Sequence, residues 1–305
     1  MIELPKFNPD KTKDRIVGFI KKRKIESKAK GITIGLSGGL DSTIVVYLLK
    51  EAIGPENVLA VHMNTSTTPE EDKKHSKIIA ENLGINYIEI AIDKLSNEFI
   101  NLTTGLDLER GNKEFKKVAN KSINGKGKYG GNIQNFTIDS IIGFDKNIRK
   151  TAEGNLKARI RMSILYYYAN LNNLLVAGTS NRSELLIGYF TKYGDGAGDI
   201  LPIANIYKSQ LKKLAIDWSI PDEIINKPPS AGLWTGQTDE EEIGFSYEVL
   251  DKLLYLIVDK KLDNDSIQEK INFSTWEINM IRDKIDNNKH KLQFPLSPLL
   301  LKNTR

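Results

Sequence analysis

The fold of this chain is decided by the stretch Ile32-Thr33-Ile34-Gly35-Leu36-Ser37-Gly38-Gly39-Leu40-Asp41-Ser42. Residues 32–36 are mostly apolar or β-branched, which is typical of a short buried strand. The Gly pair that follows allows a tight backbone turn, and residues 43–53 have the apolar composition and the length of a helix. We therefore predict a strand that runs through a Gly turn directly into a helix.

Strands and helices alternate along the rest of the chain. We predict further strands at 58–63, 87–92 and 174–177, and helices near 70–83, 151–170, 183–187 and 208–219. The C-terminal part is expected to be helical, because Ser274-Thr275-Trp276-Glu277 forms a capping box ahead of apolar residues at helical spacing. Alternation of this kind predicts an α/β fold with a parallel, doubly wound sheet.

The turn at residues 37–42 has the composition of an anion-binding site. Backbone N–H groups at such a strand-to-helix turn point at the ligand, and Ser37 and Ser42 add hydroxyl donors. No Lys ends the turn, so it is not the Gly-Lys-Ser/Thr nucleotide loop. A carboxylate beside phosphates is repulsive unless a cation lies between them, which predicts that Asp41 is a Mg²⁺ ligand. The alternative is an ordinary Gly turn in which Asp41 caps the helix.

The hexapeptide Ser37-Gly38-Gly39-Leu40-Asp41-Ser42 is similar to the phosphate loop of the ATP pyrophosphatases, which cleave ATP to AMP and pyrophosphate. This resemblance implies a sheet of the adenine nucleotide alpha hydrolase-like type and ATP as a co-substrate. The superfamily includes GMP, asparagine, argininosuccinate and NAD synthetases and tRNA-thiolating enzymes. The loop alone does not choose among them.

Three later stretches resemble the NAD synthetases in particular. They are Gly154-Asn155-Leu156-Lys157-Ala158-Arg159-Ile160-Arg161-Met162, the block 178–202, and the loop 227–240. The middle block is long and specific. The resemblance covers residues 30–95 and 151–260, has a weaker echo at His290-Lys291, and does not extend over 101–150.

The resemblance also implies roles for single residues. The residues that would contact the ATP phosphates are Ser37, Gly39, Ser42, Lys208 and Ser230, with Gly38, Leu40 and Asp41 in the same loop. Thr179 and Arg159 would line the adenosine site. Asp41 and Glu184 would share Mg²⁺. The residues that would face deamido-NAD are Asn155, Lys192, Asp195 and Asp199, with Asp195 near the ammonia.

These residue types suit the activation of a carboxylate. A carboxylate is a poor acyl donor until its oxygen attacks the α-phosphorus of ATP and pyrophosphate leaves. The charge that develops on the phosphates needs a cation and a point charge, which a metal at Asp41 and Glu184 and the ammonium of Lys208 would supply. We therefore expect an AMP-forming ligase that makes NAD from deamido-NAD, ATP and ammonia through an acyl-adenylate.

Residues 101–150 interrupt the alternation of strands and helices. They contain seven Gly and seven Asn, carry a net charge of +5 and show no sustained periodicity. We interpret them as an insertion or flexible excursion within one domain that spans residues 1–305. A basic lid over the polyanionic substrates and a surface excursion without function are equally good interpretations.

The remaining composition limits location and partners. The net charge of +5 is concentrated in residues 11–30 and 101–150, and the rest of the chain is acidic. Such basic stretches are as common beside phosphate ligands as in nucleic acid sites, so we do not expect a nucleic acid partner. No run reaches the roughly 20 apolar residues of a membrane span, and no signal-peptide core is present. We expect a cytoplasmic protein.

The nitrogen donor is indicated by the absence of Cys from the 305 residues. Glutamine-using NAD synthetases carry an additional amidase domain with a Cys nucleophile, for which this chain has neither the residue nor the length. We therefore expect free ammonia, or ammonia delivered by a separate protein. The family resemblance further implies a homodimer.

Two other functions remain open. A tRNA-modifying ATP pyrophosphatase is compatible with the basic segments, although the missing Cys argues against an enzyme that relays sulfur. A non-catalytic nucleotide-binding relative is the second. A protein that only binds a nucleotide would not need Asp41, Glu184 and Lys208 together, so their joint presence argues against this alternative.

Overall fold

The computed structural model describes residues 3–104, 146–230, 232–234 and 236–295. Within them lies a sheet of four strands in the order β3-β2-β1-β4, with every neighbouring pair parallel. Its strands are β1 (Gly31–Gly35), β2 (Val58–Asn64), β3 (Asn86–Ala91) and β4 (Leu174–Ala177). The predicted parallel α/β sheet is confirmed.

The helices before and beside the sheet are α1 (Pro9–Ser27), α2 (Leu40–Ile53), α3 (Glu70–Leu83), α4 (Asp93–Thr104) and α5 (Lys146–Asn172). After β4 the described chain is helical, with α6 (Arg182–Ile187), α7 (Lys208–Asp217), α8 (Asp222–Ile225), α9 (Asp239–Ile243), α10 (Tyr247–Leu254), α11 (Asn264–Gln268) and α12 (Thr275–Asn288). Short 3₁₀ turns lie at Pro55–Asn57 and Lys289–Leu292, and α10 continues as a π turn at Tyr255–Asp259.

Apolar side chains cover both faces of the sheet. On one face, Ile32 and Ile34 of β1 pack with α2, α3 and α7 in the largest buried cluster. On the other face, Val61 and Met63 of β2 pack against Ile160 of α5. Successive residues of a strand point to opposite faces, so covering both faces requires the continuous apolar strands that the sequence shows. The doubly wound arrangement is confirmed.

The C-terminal helices have an apolar cluster of their own. Leu250 and Leu253 of α10, Ile278 and Ile281 of α12 and Ile243 of α9 are all buried in it. The predicted capping box starts α12: Ser274 Oγ accepts from Glu277 N at 3.2 Å, and Glu277 Oε2 accepts from Ser274 N at 2.8 Å. These helices form one wall of the site described below.

The structure shifts some predicted boundaries. Helix α2 begins at Leu40 rather than at residue 43, so Asp41 lies in its first turn. Helix α5 begins at Lys146, five residues before the predicted start, because charged residues carry no apolar periodicity yet continue the helix. Helix α4 was not predicted. Residues 105–145 lie outside the described part of the chain, so the insertion or excursion at 101–150 stays a prediction, as does the single domain.

No helix in the described ranges is long and apolar enough to cross a membrane.

Candidate active site

A cavity of about 540 Å³ opens at the carboxyl ends of β1, β2 and β4. Open parallel sheets bind ligands at this edge, where strand order reverses relative to the chain. The cavity floor is the loop after β1, and its walls come from α5, α6, α7, α9 and α10 and from the loop after α8. The sequence-predicted residues that line it are Ser37, Gly39, Leu40, Asp41, Ser42, Asn155, Thr179, Glu184, Asp195, Lys208 and Ser230.

The turn after β1 is closed by its own serines. Ser42 Oγ accepts from Ser37 N at 3.2 Å and donates to Gly39 O at 3.1 Å, and Ser37 Oγ accepts from Gly39 N at 3.2 Å. Gly38 adopts φ +83°, and a Cβ on it would lie 2.3 Å from the carbonyl oxygen of Asp72 in α3. Only glycine satisfies both conditions. The loop is thus held against the first turn of α3.

Asp41 meets Lys208 in the wall of the cavity. Lys208 Nζ lies 2.6 Å from Asp41 Oδ2, which also accepts from Asn181 Nδ2 at 3.1 Å. Asp41 Oδ1 is buried and has no hydrogen-bond partner among the described residues. Burial opposes the charge on Lys208, but the carboxylates of Asp41 and Glu184 outweigh it and raise the pKa of the ammonium.

Glu184 joins this group through the start of α6. Asn181 and Glu184 form a capping box, with Glu184 Oε2 accepting from Asn181 N at 3.2 Å. Burial, and then the charge of Asp41, raise the pKa of Glu184 well above its ordinary value. The structure therefore brings Asp41, Glu184 and Lys208 together, and their predicted roles at Mg²⁺ and at the ATP phosphates stay predictions.

Asp239 is a third carboxylate of this group, and sequence reasoning did not assign it a role. It is buried and accepts from the hydroxyls of Tyr189 and Tyr247, each at 3.2 Å. Burial raises the pKa of Asp239, and Lys208 opposes the shift. The sequence offered one signal for Asp239. It lies in Gln237-Thr238-Asp239-Glu240, within the loop 227–240 that resembles the NAD synthetases.

These residues fit a divalent metal. Carboxylate and phosphate oxygens are the hard donors that Mg²⁺ prefers, and Oδ1 of Asp41 is a buried acceptor with no hydrogen-bond partner among the described residues. Among the residues that the structure describes, no three His, Cys, Asp or Glu side chains are arranged to hold a metal ion. Phosphate oxygens would therefore have to complete the ligand set of Asp41 and Glu184.

Asp251 positions the two helices that carry Glu184 and Lys208. It is fully buried in α10 and accepts from Ser183 Oγ at 2.5 Å and from Ser209 N at 2.8 Å. Ser183 Oγ in turn accepts from Lys208 N at 3.0 Å. One carboxylate therefore holds the first turns of α6 and α7 together. The sequence signal was an Asp between the buried apolar residues Leu250 and Leu253 of α10.

Asp251→Asn should destabilise the fold by about 1–3 kcal/mol at pH 4, because an amide has one acceptor oxygen where a carboxyl group has two, so a buried donor is left unpaired. Burial raises the pKa of Asp251. The stability that this group contributes is therefore complete below its unfolded pKa and falls as pH rises towards its folded pKa. Asn does not titrate in this range, so the loss of unfolding free energy caused by Asp251→Asn should be smaller at pH 7 than at pH 4.

Urea unfolding at the two pH values measures this difference. Asp217→Asn, at an exposed position on α7, is the matched control and should be neutral at both. Equal effects of the two substitutions, or a deficit that grows with pH, would contradict the positioning role.

The second half of the cavity contains Asn155 and Asp195. Thr191 links them: its Oγ1 donates to Asn155 Oδ1 at 2.6 Å, and its N–H donates to Asp195 Oδ1 at 3.0 Å. Asp195 is exposed to the cavity. The protein around its carboxyl group disfavours the charged form and raises its pKa, and the hydrogen bond from Thr191 and the charge of Arg161 oppose this rise. Arg161, which donates from Nε to Met63 O at 3.2 Å, also lines the cavity and was not predicted.

Four predicted residues lie outside the cavity lining, namely Gly38 in the turn after β1, and Arg159, Lys192 and Asp199. Arg159 is exposed and donates to Lys192 O at 3.3 Å, and Lys192 Nζ donates to His290 O at 2.8 Å. Asp199 accepts from Val176 N at 2.7 Å and from the Tyr166 hydroxyl at 3.3 Å, so it ties β4 to α5. The roles of Arg159, Lys192 and Asp199 in adenosine and deamido-NAD binding stay predictions.

The loop after α8 closes one side of the cavity. The ring of Trp234 lies next to Gly154, where a Cβ would meet it at 3.1 Å, and Lys150 Nζ lies 4.3 Å from the ring centroid. Lys157 Nζ donates to Leu233 O at 3.3 Å. Ser230 is exposed at the rim, and its Oγ accepts from Gly232 N at 3.1 Å.

Comparison with known proteins identifies the family. The family model described as NAD synthase matches residues 12–122 and 128–295. The NH(3)-dependent NAD(+) synthetase of Methanocaldococcus jannaschii is 42% identical over 285 residues, covering 93% of this chain and 95% of the relative. The family match includes most of residues 101–150, where the motifs showed no resemblance.

Two solved structures are similar over nearly the whole chain. The NH3-dependent NAD synthetase from Campylobacter jejuni has a TM-score of 0.70 at 28% identity, covering 96% of this chain and 100% of that one. The NMN synthetase from Francisella tularensis has a TM-score of 0.71 at 28% identity, covering 96% and 99%. Because the family model matches most of its residues and a relative is 42% identical over 93% of its length, this chain belongs to the NAD synthase family.

Proposed function

We propose that this chain converts the nicotinate carboxylate of deamido-NAD into the carboxamide of NAD, using ATP and ammonia and releasing AMP and pyrophosphate. The observation that carries the proposal is the contact between Lys208 and Asp41 beside Glu184, at the phosphate loop of a chain in the NAD synthase family. A tRNA-modifying activity is not favoured by the relatives.

In the first step a carboxylate oxygen of the substrate attacks the α-phosphorus of ATP, and the bond to pyrophosphate breaks. The turn at residues 37–42 leads into the N-terminus of α2, whose partial positive charge attracts the phosphates, and the Lys208 ammonium neutralises charge on the leaving pyrophosphate. Asp41 and Glu184 would hold Mg²⁺, which supplies further charge neutralisation when bound. The buried setting of these groups makes each interaction stronger than in water.

In the second step ammonia attacks the acyl carbon, a C–N bond forms, AMP leaves and the nitrogen loses a proton. We place Asp195 near this nitrogen, because it lies in the cavity next to Asn155 through Thr191. As a carboxylate it can accept a hydrogen bond from ammonia and later receive its proton. Arg161 lies close enough to Asp195 to influence its charge.

The size of the cavity bears on where the second substrate lies. Its volume of about 540 Å³ is within the range of about 300–1,000 Å³ expected for one small ligand. ATP and a dinucleotide together exceed that size, so part of deamido-NAD extends outside. The proposed contacts with Arg159, Lys192 and Asp199 belong to that outer part. The homodimer and the cytoplasmic location are proposed on the family resemblance.

The direct test is product analysis after incubation with ATP, Mg²⁺, deamido-NAD and ammonium. We expect NAD, AMP and pyrophosphate in equal amounts, with no turnover when tRNA replaces deamido-NAD. The likeness to the NMN synthetase structure favours NMN as a second candidate product. A parallel reaction with nicotinate mononucleotide decides between them. Preference for the mononucleotide would replace our assignment of the substrate.

Ammonium should support NAD formation, and glutamine alone should not. At fixed total ammonium the rate should rise from neutral to mildly alkaline pH, because the uncharged amine is the nucleophile. Efficient glutamine use by the isolated chain would refute the proposal.

A further inference from the structure

The side chain of Lys208 already occupies one of the two oxygens through which Asp41 would hold a cation. Nζ lies 2.6 Å from Asp41 Oδ2, which also accepts from Asn181 Nδ2 at 3.1 Å. The other oxygen, Oδ1, is buried and has no hydrogen-bond partner in the described part of the chain. The two side chains are only 12% and 14% exposed, so solvent ions screen this pair weakly.

This ion pair affects when a metal can bind. A divalent cation at Asp41 Oδ1 would share one carboxylate with an ammonium, and the two positive charges repel strongly where water is excluded. Asp41 and Glu184 alone do not form a complete metal site. In the described ranges, no three His, Cys, Asp or Glu side chains are arranged to hold a metal ion. The free protein therefore offers a cation few ligands, and one of them is already neutralised.

A triphosphate changes both conditions. Its oxygens complete the ligand set of a hard cation, and they offer the Lys208 ammonium another acceptor. The backbone of Lys208 is fixed at the first residue of α7, where its N–H donates to Ser183 Oγ at 3.0 Å. Its flexible four-carbon stem can still move the ammonium from Asp41 to a phosphate without displacing the helix.

We propose that Lys208 is a resident counter-ion that makes cation binding depend on the nucleotide. The ammonium neutralises Asp41 until a triphosphate draws it away, and Asp41 and Glu184 then receive the divalent cation. Because linkage between two binding equilibria is reciprocal, the cation strengthens nucleotide binding by the same factor. The inference rests on the proposed function, since it takes Asp41 and Glu184 as the cation ligands.

Mn²⁺ binding to the full chain tests this role, because electron paramagnetic resonance distinguishes free from bound Mn²⁺. Without nucleotide, Lys208→Met and Lys208→Gln should each bind Mn²⁺ at least about tenfold more tightly than the wild type, the change expected when a repulsion of about 1.4 kcal/mol is removed. Gln keeps a hydrogen-bond donor for Asp41 Oδ2, so it carries the test if the Met variant fails to fold.

Lys212→Met is the matched control. Lys212 is an exposed lysine at the cavity rim, one turn further along the same helix, and it makes no ion pair within the described residues. Its loss removes the same charge without freeing Asp41, and we expect less than about a threefold change in Mn²⁺ affinity. If Lys212→Met tightened Mn²⁺ binding as much as Lys208→Met, loss of any nearby positive charge would explain the effect, and the counter-ion role of Lys208 would be overturned.

The unfolding temperature of the wild-type protein tests the same dependence of cation binding on the nucleotide. Mg²⁺ alone should leave the unfolding temperature unchanged, whereas Mg²⁺ with α,β-methylene-ATP should raise it above the value with the analogue alone. Mn²⁺ bound by the analogue without protein is measured separately and subtracted. After this correction, equal Mn²⁺ affinity with and without the analogue would overturn the counter-ion role. No additional Mn²⁺ bound by the protein with the analogue would overturn the assignment of Asp41 and Glu184 as ligands, and this inference with it. NAD formation from ammonium tests the proposed function separately.

Discussion

Glu184→Gln and Asp41→Asn should each lower the turnover number by at least about two orders of magnitude. Removing one oxygen ligand from a metal–phosphate clamp costs on the order of 3 kcal/mol in the transition state. Both substitutions are nearly isosteric, and the amide oxygen introduced by Glu184→Gln can still accept from Asn181 N, which Glu184 Oε2 contacts at 3.2 Å. We therefore expect folded but nearly inactive proteins.

Steady-state NAD formation at limiting and saturating Mg²⁺ measures the effect, and circular dichroism checks the fold. Glu81→Gln, at an exposed position on α3, changes the charge equally and should leave turnover unaltered. Near-wild-type turnover of either site variant at limiting Mg²⁺ would show that the side chain is not a metal ligand.

Gly38→Ala should have an effect of similar size, through the backbone. A non-glycine residue at φ +83° costs about 1–2 kcal/mol, and the added Cβ would lie 2.3 Å from Asp72 O. Either the phosphate loop moves away from α3 or the contact strains the fold. We expect a loss of at least about 3 kcal/mol of stability, or a KM for ATP raised more than tenfold.

Gly84→Ala separates the two causes. Gly84 follows α3 with φ +66°, and a Cβ there meets nothing within 4 Å. This control should show only the conformational cost of about 1 kcal/mol and an unchanged KM for ATP. If the two variants behave alike in urea unfolding and in ATP kinetics, the close approach of Gly38 to Asp72 has no role in holding the loop.

Local patterns predicted the fold because each reports on its own segment. Alternating apolar runs and Gly turns located the four strands within one or two residues and predicted the doubly wound sheet. They missed the start of α5, because charged residues continue a helix without apolar periodicity. They also missed α4, although its apolar residues Leu95, Phe99 and Leu102 lie at helical spacing. Motif resemblance predicted the family, and the family match confirms it.

The sequence by itself determined the family and the α/β class, and it predicted a phosphate loop with Asp41 and Glu184 as metal ligands. Only the tertiary structure decided that Lys208 pairs with Asp41, 167 residues away in sequence, and that Asp239 and Asp251 are buried beside them. It also left Arg159, Lys192 and Asp199 outside the cavity. A motif records which residue type stands at a position, whereas burial and charge pairing arise from segments that meet only when the chain is folded.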